Sequence, residues 1–305
     1  MEPANVSDGS TAPTIVDRVC DVCRSEQVVP LPAYNTTHWP LVECTSCGFV
    51  YLRQVPSYSA LAEDFPWEVT SIAEKQRRSK SRFSWLDRAT RWRTYPGHVI
   101  DRYRRRHSLG VSGNVLDIGC GGACRVPEGP IPHGIEISAA LAAGAQSSFA
   151  TRGGSVVHAN AIDGMDAFQD EFFSAILMRS YLEHEAQPKL ILDKAWRKLA
   201  PNGKIFIRVP DYGSVNRRLM GRRWCGFRFP DHVNYFTLRS LRELASGSGF
   251  TCKRVNWLSP LDDNIIAVLV KRPSEVAAPN PTLVANHYAL NFINCAATSF
   301  GMGVV

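Results

Sequence analysis

The chain has 305 residues, 45% of them hydrophobic, which is room for about two domains and enough apolar material for a packed core. No apolar run approaches the roughly 20 residues of a membrane span, and the polar start MEPANVSDGSTAPT lacks the basic and apolar regions of a signal peptide. The expectation is a cytoplasmic protein with no membrane span, carrying a net charge of +7.

Residues 1 to 18 read as a polar tail. Cys20-x2-Cys23 follows, then 20 residues, then Cys44-x2-Cys47. Two such knuckles suit tetrahedral S4 coordination of zinc, because each turn points two thiolates at one metal. Gly48 eases the second turn. A closed site of this kind is structural, so Zn2+ is expected to fold a ribbon over residues 19–53 and to catalyse nothing. Strand-like runs at 27–31 and 48–52 belong to it. Cys120, Cys124, Cys225, Cys252 and Cys295 are scattered and read as ordinary small apolar residues.

Residues 54–110 read as a helical cap or linker, broken at Pro66 and at Pro96-Gly97. The positive charge gathers here, in EKQRRSKSR (Glu74 to Arg82), RATRWR (Arg88 to Arg93) and DRYRRRH (Asp101 to His107). These runs fit a solvated helix face or a grip on an anionic partner. Phe83, Trp85, Trp92, Tyr95 and Tyr103 interleave with them at helical spacing, which suits packing better than base stacking.

From Val111 strands and helices alternate. Strands are predicted at 114–118, 133–137, 155–159, 173–179, 203–209, 250–258 and 264–271. Ser138 is a candidate cap for a helix from Ala139 to about Thr151. A second helix, Gln187 to Ala200, places Ile191, Leu192, Ala195, Trp196 and Leu199 on one face and lysines on the other. Thr237 caps a third, with Leu238, Leu241 and Leu244 inward. This alternation predicts a doubly wound, largely parallel sheet whose last two strands pair antiparallel. The first crossover is unusual. Between Gly122 and Gly134 lie 11 residues that include Pro127, Pro130 and Pro132, so a turn or extended loop must replace the helix. Residues 273–305 form a tail of unknown role.

The most informative stretch is Val115-Leu116-Asp117-Ile118-Gly119-Cys120-Gly121-Gly122-Ala123, followed by Gly134-Ile135-Glu136-Ile137-Ser138. An apolar strand ends in an acid and a glycine turn, and a second apolar strand also ends in an acid. Glycines let backbone approach a nucleotide, and the second acid can bind both ribose hydroxyls. Gly119 and Glu136 are 17 residues apart, near the roughly 20 of such units, but the third glycine of a dinucleotide fingerprint is missing.

The glycine stretch resembles motif I of class I S-adenosylmethionine (SAM) methyltransferases. The likeness extends over about residues 19–272. It is carried by CDVC…CTSCGFVYL, VLDIGCGG, GIEIS, MRSYLEHEAQP, KLAPNGKIFIRVP and DHVNYFTLRSL. In this sense the chain is similar to bacterial class I methyltransferases bearing an N-terminal zinc ribbon, of the polysaccharide or secondary-metabolite type. The resemblance implies an α/β, Rossmann-like seven-stranded methyltransferase sheet over 111–272, with SAM across its carboxyl strand ends.

Carried onto this sequence, Gly119, Cys120 and Gly121 would line the methionine and ribose of SAM. Asp117 would hold the ammonium, Glu136 the ribose hydroxyls, and Ile137 the adenine. Asn160 and Ala161 would stand near the adenine amino group, and Arg179 and Ser180 near the methionine. Ala123 stands where the family has a last glycine, and Ser174 where an acid is common. Without the first helix, its N-terminus cannot face the SAM carboxylate, a role that Arg125 could take. His184 and His232 are candidate bases for a hydroxyl or amine acceptor, with Asp231 and Tyr235 nearby; a structural role for each histidine stays open. The leading expectation is methyl transfer to a small-molecule or carbohydrate-like acceptor, with nucleic acid not expected as partner. The alternatives are an RNA or protein methyltransferase and a non-catalytic SAM-fold binding module.

Overall fold

In the computed structural model, residues 15–34, 39–56, 111–257 and 262–272 are described. The expected cap from 57 to 110 with its arginine runs, the first residues of the N-terminal tail and the tail past 272 lie outside them. Five short strands come first: β1 (Ile15–Asp17), β2 (Val28–Pro30), β3 (Leu41–Cys44), β4 (Val50–Leu52) and β5 (Gln54–Pro56). Then follow β6 (Asn114–Ile118), β7 (Ile131–Glu136), α1 (Ala139–Ala150), β8 (Val156–His158), α2 (Ala161–Gly164) and β9 (Phe173–Arg179). The chain continues with α3 (Pro188–Lys198), β10 (Leu199–Pro210), α4 (Val215–Met220), β11 (Asn234–Tyr235), α5 (Leu238–Gly247), β12 (Phe250–Arg254) and β13 (Asn264–Lys271).

Seven of these strands form one sheet in the order β12-β13-β10-β9-β6-β7-β8. Strands β6 to β10 run parallel, and β13 is antiparallel to both β10 and β12, as the close spacing of the last two strands implies. Central strands covered on both faces need continuous apolar sequence. Val115, Leu116 and Ile118 of β6, and Ala175 to Met178 of β9, are accordingly buried. From β6 the chain winds outward through β7 and β8, then returns to the other side of β6 as β9. That reversal opens a crevice at the carboxyl ends of β6 and β9, where ligands of such sheets bind.

Three helices lie close to their sequence positions. Ser138 Oγ accepts from the Leu141 N–H (3.3 Å) and starts α1, whose Ala142, Ala145 and Phe149 are buried. Gly134 beneath it is required, since a Cβ there would stand 2.7 Å from Cys120 Sγ. Thr237 and Ser240 form a reciprocal cap for α5. In α3 the lysine face is not simply solvated. Lys194 reaches the Ile162 carbonyl (2.7 Å) and Asp166 (2.6 Å), and Lys198 the Phe168 carbonyl (2.7 Å) and Asp170 (2.8 Å). Four-carbon stems let these cations reach back over apolar surface to oxygen partners.

Turns and bends fill the first crossover, as its prolines demand. Arg152, just past α1, holds that loop by donating to the carbonyls of Val126 (2.7 Å), Pro127 (2.5 Å) and Pro130 (2.9 Å).

The ribbon reaches further than residues 19–53. β1 pairs antiparallel with β5, at residues 15–17 and 54–56. The second sheet has the order β11-β4-β3-β2, so its outer strand comes from beyond α4, with Asn234 opposite Tyr51 and Tyr235 opposite Val50. One apolar core joins the ribbon's Val42, Phe49 and Tyr51 to Phe236 and Leu241; the Phe49 and Phe236 rings lie 5.2 Å apart. A second, aromatic cluster joins Tyr34 and Trp39 to Phe227 and Tyr235.

Candidate active site and metal centre

Gly119 and Gly121 turn at φ +67° and +69°, a left-handed conformation that costs glycine little. A Cβ on Gly119 would stand 3.2 Å from the Tyr181 ring, whereas one on Gly121 would meet nothing within 4 Å. The loop therefore has Tyr181 over one end and open space over the other. Glu136, buried at the end of β7, faces the same loop: its carboxylate accepts from the Gly121 N–H (2.8 Å) and the Ser138 N–H (3.1 Å). Cys120 turns its thiol into a cluster with Ala145 and Phe149.

At the neighbouring strand ends Arg179 Nη2 meets Asp117 Oδ2 at 2.5 Å, and Arg179 Nη1 donates to the Arg125 carbonyl (3.3 Å). Burial raises the Asp117 carboxyl to about 6, with the Arg179 charge pulling it down. A carboxylate beside a guanidinium complements the ammonium and carboxylate of an amino acid. Ser180 follows in a positive-φ turn (+52°).

Near β8, Ile137 is 39% exposed, an apolar side chain that stays open beside Glu136. Asn160 caps α2: its Oδ1 accepts from the Asp163 N–H (3.0 Å) and its Nδ2 donates to Asp163 Oδ2 (2.7 Å). Ala161 is buried in the core.

His184 and His232 come together, ring centroids 4.8 Å apart and nearly perpendicular. His184 stands one turn after Tyr181, its N–H donating to the Tyr181 carbonyl (2.9 Å). Its Nδ1 donates to the Asp231 carbonyl (2.7 Å) and lies 3.2 Å from the Asp231 carboxylate, which Arg228 also pairs (2.8 Å). Burial alone would lower the His184 pKa, but the hydrogen bond and charge of Asp231 outweigh it and raise it above the ordinary value. His232 Nδ1 donates to the Gly226 carbonyl (2.8 Å), and burial together with the His184 charge pushes its pKa well down. Burial pushes the neighbouring Glu183 carboxyl up. Two adjacent histidines are thus driven apart, one toward holding a proton and one toward neutrality.

In the ribbon, Cys20 Sγ lies 3.5 Å from Cys47 and 3.7 Å from Cys23, and Cys23 lies 3.5 Å from Cys44. Sulfurs 2.3 Å from a tetrahedral metal stand about 3.8 Å apart, so the four thiols are spaced as ligands of one cation. Burial pushes the Cys47 thiol up to about 12 and Cys20 higher still. At Cys44, burial is overcome by backbone hydrogen bonds around Ser46 and Cys47, and the thiol falls to about 7. Thiols buried in this way ionise together only against a compensating cation. Each knuckle ends in a left-handed residue, Gly48 (φ +74°) and, without a glycine to signal it, Arg24 (φ +63°).

The methyltransferase-domain family matches residues 85–255. Among solved structures, the chain is similar to a SAM-dependent methyltransferase from Archaeoglobus fulgidus (15% identity, 57% of this chain and 94% of that one, TM-score 0.44). A possible histamine N-methyltransferase from Thermotoga maritima shows 19% identity over 63% of this chain and 97% of that one, TM-score 0.43. The 1,6-didemethyltoxoflavin-N1-methyltransferase of Burkholderia thailandensis, solved with S-adenosylhomocysteine, shows 17% identity over 80% and 99%, TM-score 0.42. No curated protein matches the chain. The family match runs over more than half of the sequence, through the glycine loop and both histidines, and so this chain belongs to the methyltransferase-domain family.

Proposed function

We propose that the chain methylates a hydroxyl or amine of a small, carbohydrate-like acceptor, with His184 as the base that Asp231 orients. The observation that carries this reading is the His184–Asp231 pair, one turn from the tyrosine that covers Gly119. The His184 side chain is 21% exposed, which suits one functional group of a small molecule better than a folded polymer.

Glu136 would hold the ribose hydroxyls, Ile137 the adenine face, and Asp117 with Arg179 the amino-acid end of SAM. When bound, SAM supplies a methyl group already activated by its sulfonium. The protein's part is to align the acceptor and keep water out. With Nδ1 committed to Asp231, Nε2 of His184 is the nitrogen that would take the acceptor's proton, and Asp231 would stabilise the imidazolium. His232, held neutral, packs against that ring. A Zn2+ held by Cys20, Cys23, Cys44 and Cys47 would be structural, and a reducing, cytoplasmic setting would keep those thiols available.

Methyl-labelled SAM offered with a panel of nucleoside-diphosphate sugars, and separately with bulk RNA, tests the reading. Label should enter the sugar fraction and fall about 100-fold or more with His184→Gln. Label entering RNA instead would overturn the small-acceptor assignment.

A further inference from the structure

Asn234 sits where the ribbon sheet meets the turn that carries His184. It is 2% exposed, and both polar groups of its side chain are used. Its Nδ2 donates to the carbonyls of Leu182 (2.9 Å) and Glu185 (2.6 Å), and its backbone N–H to the carbonyl of Glu183 (3.1 Å). Three carbonyls that bracket His184 are thus held by one residue. Its Oδ1 accepts from Arg18 Nη2 at 2.8 Å. Arg18, in the ribbon, also donates to the Val233 carbonyl (3.2 Å) and pairs with Asp21 (3.3 Å), inside the Cys20–Cys23 knuckle. Asp21 in turn pairs with Arg24 (3.1 Å). A continuous path of hydrogen bonds and ion pairs therefore runs from the metal knuckle to the histidine turn.

We propose that Asn234 is a positioning residue for His184, tying the ribbon to the catalytic turn so that methyl transfer depends on an intact ribbon. Asparagine suits the place because it offers two donors and an acceptor at once. Aspartate has the same shape and would hold Arg18 more strongly, but it would set a carboxylate oxygen against two carbonyls. Leucine would remove all three side-chain bonds. The proposal rests on reading His184 as the base. The titratable and charged groups facing that imidazole are Asp231, Glu183 and His232, with Arg228 beside Asp231 and Arg208 near Glu183.

The test uses the full chain with its metal. The His184 imidazole is titrated by NMR, assigned by its loss in His184→Gln, while calorimetry follows binding of S-adenosylhomocysteine. In Asn234→Asp the His184 midpoint should move half a unit or more toward the ordinary histidine value, as the turn shifts away from Asp231. Label transfer to the nucleoside-diphosphate sugars should fall tenfold or more, with S-adenosylhomocysteine affinity within twofold. An unmoved midpoint in a folded Asn234→Asp that binds S-adenosylhomocysteine normally overturns the proposal. Should that variant not fold, Arg18→Gln carries the same test: the midpoint moves in the same direction, or the link to the ribbon is refuted. The two readings fail separately. Full label transfer by His184→Gln would remove the base, while the midpoint in Asn234→Asp judges the positioning.

Discussion

Replacing Glu136 by alanine separates two jobs that this carboxylate could do. It supports the glycine loop through the Gly121 and Ser138 N–H groups, and it is the proposed partner of the SAM ribose. A hydrogen bond to a charged group contributes about 1.5–3 kcal/mol. Losing one such bond to the ligand therefore predicts roughly 10- to 150-fold weaker binding. The two N–H groups at the edge of an open loop can be rehydrated, so the cost to the unliganded protein should stay near 1–2 kcal/mol. Calorimetry with S-adenosylhomocysteine measures the first quantity, and urea unfolding without ligand the second. A variant that loses stability yet binds S-adenosylhomocysteine within twofold of the parent would show that Glu136 only supports the loop. The cofactor would then be misplaced at that end.

Cys44→Ser should release one zinc per chain, measured by elemental analysis, and quicken proteolysis within residues 15–56; metal loss with unchanged protease resistance would refute a structural role. Methyl transfer should rise with pH through the His184 pKa, which lies above the ordinary value, and Asp231→Asn should move that acid limb to lower pH. The same contact stabilises the fold fully below about pH 6.5, the unfolded histidine value, and is lost as pH rises through the folded one. The stability gap between parent and Asp231→Asn should therefore narrow upward from pH 6.5, and a gap that widened would contradict the assignment. Arg152→Ala removes the donor for three loop carbonyls and should cost about 2–3 kcal/mol in denaturant unfolding, given a partly exposed site; no loss would mean that the prolines alone hold the loop.

The sheet was legible because its strands are apolar on both faces and its helices carry their own caps, both local signals. Ser138 and Thr237 announce helices that the structure places within a few residues. The absent crossover helix was legible too, since proline forbids it. The Arg179–Asp117 pair was not: the partners are 62 residues apart, and nothing local in either strand marks the other. Strand β11 was not legible either. β11 is two residues long and polar at Asn234, and it is a strand only because β4 offers it an edge.

That edge also sets an order of events during synthesis. Arg18 leaves the ribosome well before Asn234, which follows 216 residues later. At roughly 5–20 residues per second, about 10 to 45 seconds pass between them. Through that interval the ribbon's β4 has no outer neighbour, and Phe49 and Tyr51 have no Phe236 to cover them. The four cysteines, by contrast, lie within one short stretch and need nothing made later in order to meet. A nascent chain that captures its metal early would hold a half-covered sheet ready for the strand still to come. One that does not would present an unpaired edge and bare aromatic rings to every neighbouring chain.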